Sequence, residues 1–117
     1  MGVSFEWATR IGGVGEDVAV GVTSDGAGGS LVTGDFEGTV SFGSTTLTSA
    51  GSDDIFVVHV SNTGTINWAV QAGGTNEDKG RDIASDGNGG AFVTGHFYYS
   101  ASFGATTLTS SYEGGYV

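Results

Sequence analysis

The chain has thirteen acidic residues and only three basic ones, and two of those three, Lys79 and Arg81, stand two positions apart. With Asp82 beside them they form the one charged group from which a site could be built. Two cations could hold a carboxylate or another anion, and a carboxylate next to them could orient it. The plainer reading is local pairing with Glu77, Asp78 or Asp82. Tyr98, Tyr99, Tyr112 and Tyr116 form a second group. Aromatics on exposed loops beside Asn, Asp and Gly suit a sugar ring; they equally suit a subunit interface, where tyrosine is enriched. Asp25 and Asp86, the latter with Asn88, supply oxygens, but a hard cation wants about six to eight of them, so turn formation is the reading preferred for both. Glu16–Asp17 and Glu77–Asp78 are identical pairs with a solvated or turn-capping role. His59 and His96 lie apart on different predicted strands among apolar residues, and a lone strand histidine reads as structural.

These residues lack the company that known chemistries need. The sequence has no nucleophile elbow, phosphate-cradling Gly-Lys loop, histidine metal motif or N-glycosylation acceptor. The expectation is therefore no enzyme, no cofactor and no metal; a hydrolase or lyase would have to use Lys79, Arg81 and Asp82 on a channel rim. Net charge −10 argues against nucleic acid, whose binding needs clustered Lys and Arg. No run approaches 18 apolar residues, so no helical membrane span is expected. No signal peptide opens the chain, and with no cysteine there is no disulfide framework or thiolate site.

The elements that must position these residues come as a repeat. Trp7 to Ser49 aligns without a gap on Trp68 to Ser110, at a constant offset of 61 residues, and 23 of the 50 positions of 7–56 are identical in 68–117. The paired positions include Trp7/Trp68, Asp25/Asp86, Phe42/Phe103 and Leu47/Leu108, which are expected to hold equivalent structural places. A period of this size must be settled before any element is assigned. No segment has a 3.6-residue period, while 17–24 alternates: Val18, Val20 and Val22 fall on one face, and Ala19, Gly21 and Thr23 on the other. The small face predicts a second sheet packed close against it. DGAGG at 25–29 predicts a hairpin turn. Residues 30–36 return, and 38–49 make a short hairpin with Phe42 and Leu47 tucked in. Residues 54–61, apolar on both faces, predict a strand covered on both sides; 65–72 follows, with Ile66, Trp68 and Val70 aligned.

One cycle is thus a four-stranded antiparallel meander, 17–24, 30–36, 54–61 and 65–72, repeated at fixed period, which is the signature of a β-propeller blade. The pattern W-A…G-G…D…S-D-x-x-G-G-x-x-V-T-G-x-F…F-G…T-L-T-S…D-D-I-F-V-V resembles the bacterial β-propeller repeat family SBBP in two tandem copies. The resemblance implies an all-β propeller serving as a binding or scaffolding module, from a bacterial secreted or cell-surface setting, and it implies no catalytic residues. The chain reads as one propeller segment over 1–117. Repeat 1 covers about 7–67, repeat 2 about 68–117 is truncated, and a permuted strand at 3–11 holds Val3, Phe5 and Trp7 on one face. In the second repeat, strands are expected at 78–85 and 91–97, with a third only starting at Tyr116 and Val117. Two blades cannot close a ring, so the expected partner is the chain itself, in three or four copies, besides a small molecule or glycan. The opening Met-Gly, the close repeats and the phase at which the chain stops fit an excised or designed piece.

Overall fold

A computed structural model describes residues 4–116, and the fold is all-β and antiparallel, with no helix among them. Nine strands follow in order: β1 (Asp17–Ser24), β2 (Ser30–Phe36), β3 (Thr39–Phe42), β4 (Thr45–Thr48), β5 (Asp54–Val60), β6 (Ile66–Ala72), β7 (Lys79–Ser85), β8 (Ala91–Phe103) and β9 (Thr106–Tyr116). The first sheet has the order β1-β2-β5-β6, the expected four-strand meander, with the β3-β4 hairpin as a separate two-stranded excursion. The second sheet has the order β7-β8-β9.

The core lies on one face of the first sheet. Phe36, Phe56, Val58, Val60 and Ala69 meet Phe42 and Val40 of the hairpin, and Trp7, Ile11, Val32, Leu47 and Ile66 close over them. Phe42 stands edge-on to Phe36 at 5.8 Å and tilted to Phe56 at 5.2 Å, an arrangement that aromatic quadrupoles favour. β5 is central, and Ile55, Phe56, Val58 and Val60 are all buried, as apolar residues on both of its faces require.

The opposite face of the first sheet receives the second. A β-carbon on Gly21 would lie 3.4 Å from the Asp82 Cα and 3.5 Å from the Ile83 side chain; one on Gly80 would lie 2.6 Å from Thr33 Oγ1. The small residues on this face of β1 therefore do admit a second sheet at close range.

Five local expectations are corrected. Residues 4–11 form no strand, and Phe5 is fully exposed; Val3 lies outside the described residues. Their repeat equivalent β6 is paired with β5, whereas 4–11 pair with no strand among the described residues; Gly12 alone bridges to Ser41, as Gly73 does to Ser102. Strict alternation in β1 fails at Val20, because a bulge lies between Ala19 and Gly21, and the same bulge recurs between Gly80 and Asp82, at Arg81. A bulge between His59 and Val60 breaks the expected alignment of β6, so that Ile66 turns to the core while Val70 is exposed. Fourth, the second repeat does not stop after two strands. β8 runs on through the segment that forms β3 in the first repeat, and β9 pairs back on it from Phe103 to Gly95. Fifth, Leu108 does not hold the place of its repeat partner Leu47. Leu47 closes over the core, whereas Leu108 is exposed. The hairpin strand that carries Leu47 lies against β6. Among the described residues the second sheet ends at β9, with no equivalent of β6 to cover Leu108.

The pairing of β9 carries a one-residue slip. Gly34 faces Phe56 across β2 and β5, yet its repeat partner Gly95 faces Tyr116; Val117, the alignment partner of Phe56, lies outside the described residues. Tyr116 thereby takes the place of Phe56. It packs on Phe103 at 4.7 Å with a 46° tilt, as Phe56 packs on Phe42. A slip of one residue exchanges the two faces of a strand, and here it brings the aromatic inward.

Candidate functional site

The repeat places charged residues at the seam between the sheets. The Gly-Gly loop before each inner strand is tied down by that strand's first acid. Asp17 Oδ2 accepts from the Gly13 amide at 2.9 Å, and Asp78 Oδ2 accepts from Gly74 at 2.8 Å. Lys79 follows, and its ammonium lies 3.2 Å from Asp53 and 3.5 Å from Asp35. Its partners are thus in the other sheet, rather than Glu77, Asp78 or Asp82 nearby. Burial pulls Lys79 down, but the hydrogen bond to Asp53 and the charges of Asp35 and Asp53 outweigh it and hold the ammonium above its ordinary value. Asp35 is raised, by burial more than Lys79 can offset. Asp53, at 3.2 Å against 3.5 Å, is the nearer partner.

Beside this bridge stand two further buried carboxylates, Asp54 and Asp78, each with an unpartnered Oδ1. Asp54 Oδ2 accepts from Gln71 Nε2 at 3.1 Å and from the Ala50 amide at 3.2 Å. Burial pushes its carboxyl up to about 6 against the Ala50 bond, and Asp78 adds to the rise. Asp78 is also raised, burial first. The Gly73 linker passes between the two: a β-carbon there would lie 2.6 Å from Asp54 Oδ1 and 2.9 Å from Asp78 Oδ2, so the linker has room for glycine alone.

The second assembly is aromatic. Along β8, Phe92, Thr94, His96 and Tyr98 alternate onto one face. Tyr98 meets His96 edge-on at 5.7 Å and Tyr112 at 5.6 Å, and Tyr99 meets Tyr112 at 6.1 Å. Tyr98 donates its hydroxyl to Glu113 Oε2 at 2.8 Å, and that bond holds the phenol above its ordinary value. Arg81 Nε donates to His96 Nδ1 at 3.4 Å. Tyr98 and Tyr99 are within a strand rather than on a loop, and Tyr99 takes φ 63° opposite the β9 irregularity, which turns its ring out to solvent.

The sequence-derived candidates thus divide. Arg81, Tyr98 and Tyr99 come together with His96, Tyr112 and Glu113 on one surface. Lys79 leaves them for the seam, and Asp82 is exposed, its Oδ1 accepting from the Ile83 amide at 2.9 Å. Asp25 and Asp86 are turn formers: Asp25 Oδ1 accepts from Ala27 and Gly29, and Asp86 Oδ1 from Asn88 and Gly90, at 2.7–2.9 Å. Asp25 Oδ2 also meets His59 Nε2 at 2.8 Å, which lowers the Asp25 carboxyl. His59 Nδ1 accepts from Asn67 at 3.0 Å, and its ring stacks on Trp68. Both ring nitrogens are thereby engaged. Trp7 and Trp68 share a repeat position but not an environment, for Trp7 closes the core over Gly64 while Trp68 lies in β6 against His59.

Asp35, Asp53 and Asp54 were not among the candidates. Their signal lay in the broken repeat. Lys79 and Arg81 replace Val18 and Val20, while His96, Gly114 and Gly115 replace Asp35, Asp53 and Asp54. Lys79, Asp35 and Asp53, charges that each occur in only one repeat, are the ones that pair across the seam.

Among the described residues no group of three or more His, Asp and Glu is arranged to hold a metal ion. No curated protein and no solved structure matches the chain. The family model of the SBBP beta-propeller repeat matches residues 67–96, which span all of β6 but its first residue, the Gly-Gly loop, β7, the Asp86 turn and the first half of β8. Residues 67–96 accordingly form a match to one beta-propeller repeat of the SBBP family.

Proposed function

We propose that this is a non-enzymatic binding or scaffolding module, completed into a ring of three or four identical chains, with its ligand surface at Tyr98, Tyr99, Tyr112 and Glu113. The observation that carries the reading is the tyrosine cluster. Its rings are held by edge-on contacts on a paired strand bed, and Tyr99 and Tyr112 remain open to solvent. Rigid aromatics cost little entropy to use in binding and combine an apolar face with a polar tip. The propeller repeat supports the module class, and an even blade total follows from two repeats per chain.

A carbohydrate ligand is the second reading, favoured by the Glu113 carboxylate beside the exposed Tyr112 ring. A glycan array run with the wild type and Tyr112→Ala separates the two readings. Binding lost in the variant supports the lectin; no binding to any glycan leaves the scaffold. Turnover in a hydrolase or lyase panel, abolished by Arg81→Ala, would overturn both. Light scattering across micromolar concentrations tests the ring, and a single species at 11.7 kDa would refute it.

A further inference from the structure

Repeat-equivalent residues on the two sheets have opposite burial. Ile83 on β7 is 6% exposed because it seats on the first sheet beside Gly21; its partner Val22 on β1 is 68% exposed. Thr33 is fully buried under Gly80, while Thr94 is exposed. Leu31 is fully buried, while Phe92 is 62% exposed. The first sheet thus bares the surface by which the second sheet docks, and the second sheet bares the surface by which the first receives it. A groove on that receiving side is lined by Asp82, Ala84, Phe92 and Thr94, which share that face of β7 and β8.

We propose that this groove takes a second copy of the same chain, head to tail, with the incoming β1 leading through Val22 as β7 leads through Ile83 inside the chain. The proposal rests on the ring reading above and assigns its contact. Such a contact is heterologous, since each copy keeps one surface of each kind free for the next, and it closes into a ring when the rotation permits.

Moving the contact by one repeat fixes which residues meet. Gly80 over Thr33 becomes Ala19 over Thr94, and Asp82 and Ile83 against Gly21 become Gly21 and Val22 against Asp82. Two substitutions make the contact between chains looser than the one within. Ala19 carries the β-carbon that Gly80 lacks, and Asp82 brings a carboxylate where the first sheet has Gly21. Burying that charge unpaired is costly. The tyrosine surface stays open, because Glu37, the repeat partner of Tyr98, remains exposed beside the covered face of the first sheet.

The test is light scattering and sedimentation of the full chain with three variants. Val22→Asp should weaken association about tenfold or more, with the β circular dichroism of the single chain unchanged because the side chain is exposed there. Asp82→Gly should tighten association, since it restores the small residue of the internal seam. Ala19→Cys with Thr94→Cys, in a chain that has no other cysteine, should form a disulfide between chains under mild oxidation. An oligomeric wild type whose mass is indifferent to Val22→Asp and Asp82→Gly, and whose cysteine pair fails to cross-link, overturns this contact and leaves the ring reading standing. A wild type monomeric at all concentrations overturns both.

Discussion

Asp54→Asn isolates the cost of the buried carboxylate at the seam. Asp54 is 1% exposed, one of its oxygens has no partner, and Asp78 stands across Gly73. A carboxyl raised from 3.8 to about 6 differs by about 3 kcal/mol between its charged and neutral forms. Because the folded value lies above the unfolded one, the folded chain binds the extra proton between those two values. Stability therefore falls as pH rises from about 4 to 6 and stays low above that. Below pH 4 both states are protonated and the penalty is absent. Asparagine keeps an oxygen for Gln71 and Ala50 but cannot ionise. The stability of Asp54→Asn relative to wild type should thus grow by about 2–3 kcal/mol between pH 4 and pH 7. Urea unfolding followed by tryptophan fluorescence, at pH 4, 5, 6 and 7 and one fixed protein concentration, measures it. Taking the difference between two chains cancels the carboxylates they share. A difference that stays flat over this range, or that shrinks as pH rises, would show that Asp54 is solvated or paired and refute the reasoning.

The other predictions concern the seam, the core and the turns. Lys79→Met leaves Asp35 and Asp53 buried without their cation and should cost about 3 kcal/mol; a near-neutral result in denaturant unfolding would show that the bridge is solvated. Phe42→Ala empties a fully buried site between Phe36 and Phe56 and should cost about 3–5 kcal/mol, whereas Trp68→Ala, half-buried against His59, should cost less; the reverse order would place the core on the wrong face. Millimolar calcium should leave the melting temperature unchanged, because Oδ1 of Asp25 and of Asp86 is already engaged by the amides of its own turn and a hard cation needs about six to eight oxygens; a rise reversed by chelator would make Asp86 and Asn88 ligands.

The sequence alone carried the period, the four-strand meander and the turns. Each is a local matter: glycine allows the backbone of the Asp25 and Asp86 turns, and alternation states which residues share a face. It also carried the close approach of a second sheet, because Gly21 and Ala19 leave that face of β1 low. Tertiary structure decided what depends on distant neighbours. Residues 4–11 have strand composition but form no strand, since a strand exists only where another strand pairs with it and none is paired with these residues. Leu47 and Leu108 are the same residue in the same repeat position, yet only Leu47 is covered, because burial depends on the strands that lie beneath. Tyr116 replaces Phe56 by a slip that no alignment shows, because register answers to which aromatic can reach Phe103. Lys79 pairs across the seam rather than with its sequence neighbours, because burial beside Asp35 and Asp53 removes the water that would otherwise screen the charges. Tyr98, Tyr99 and Tyr112 meet only because β9 folds back along β8 from Phe103 to Gly95, and that long-range pairing is what turns these tyrosines into one surface.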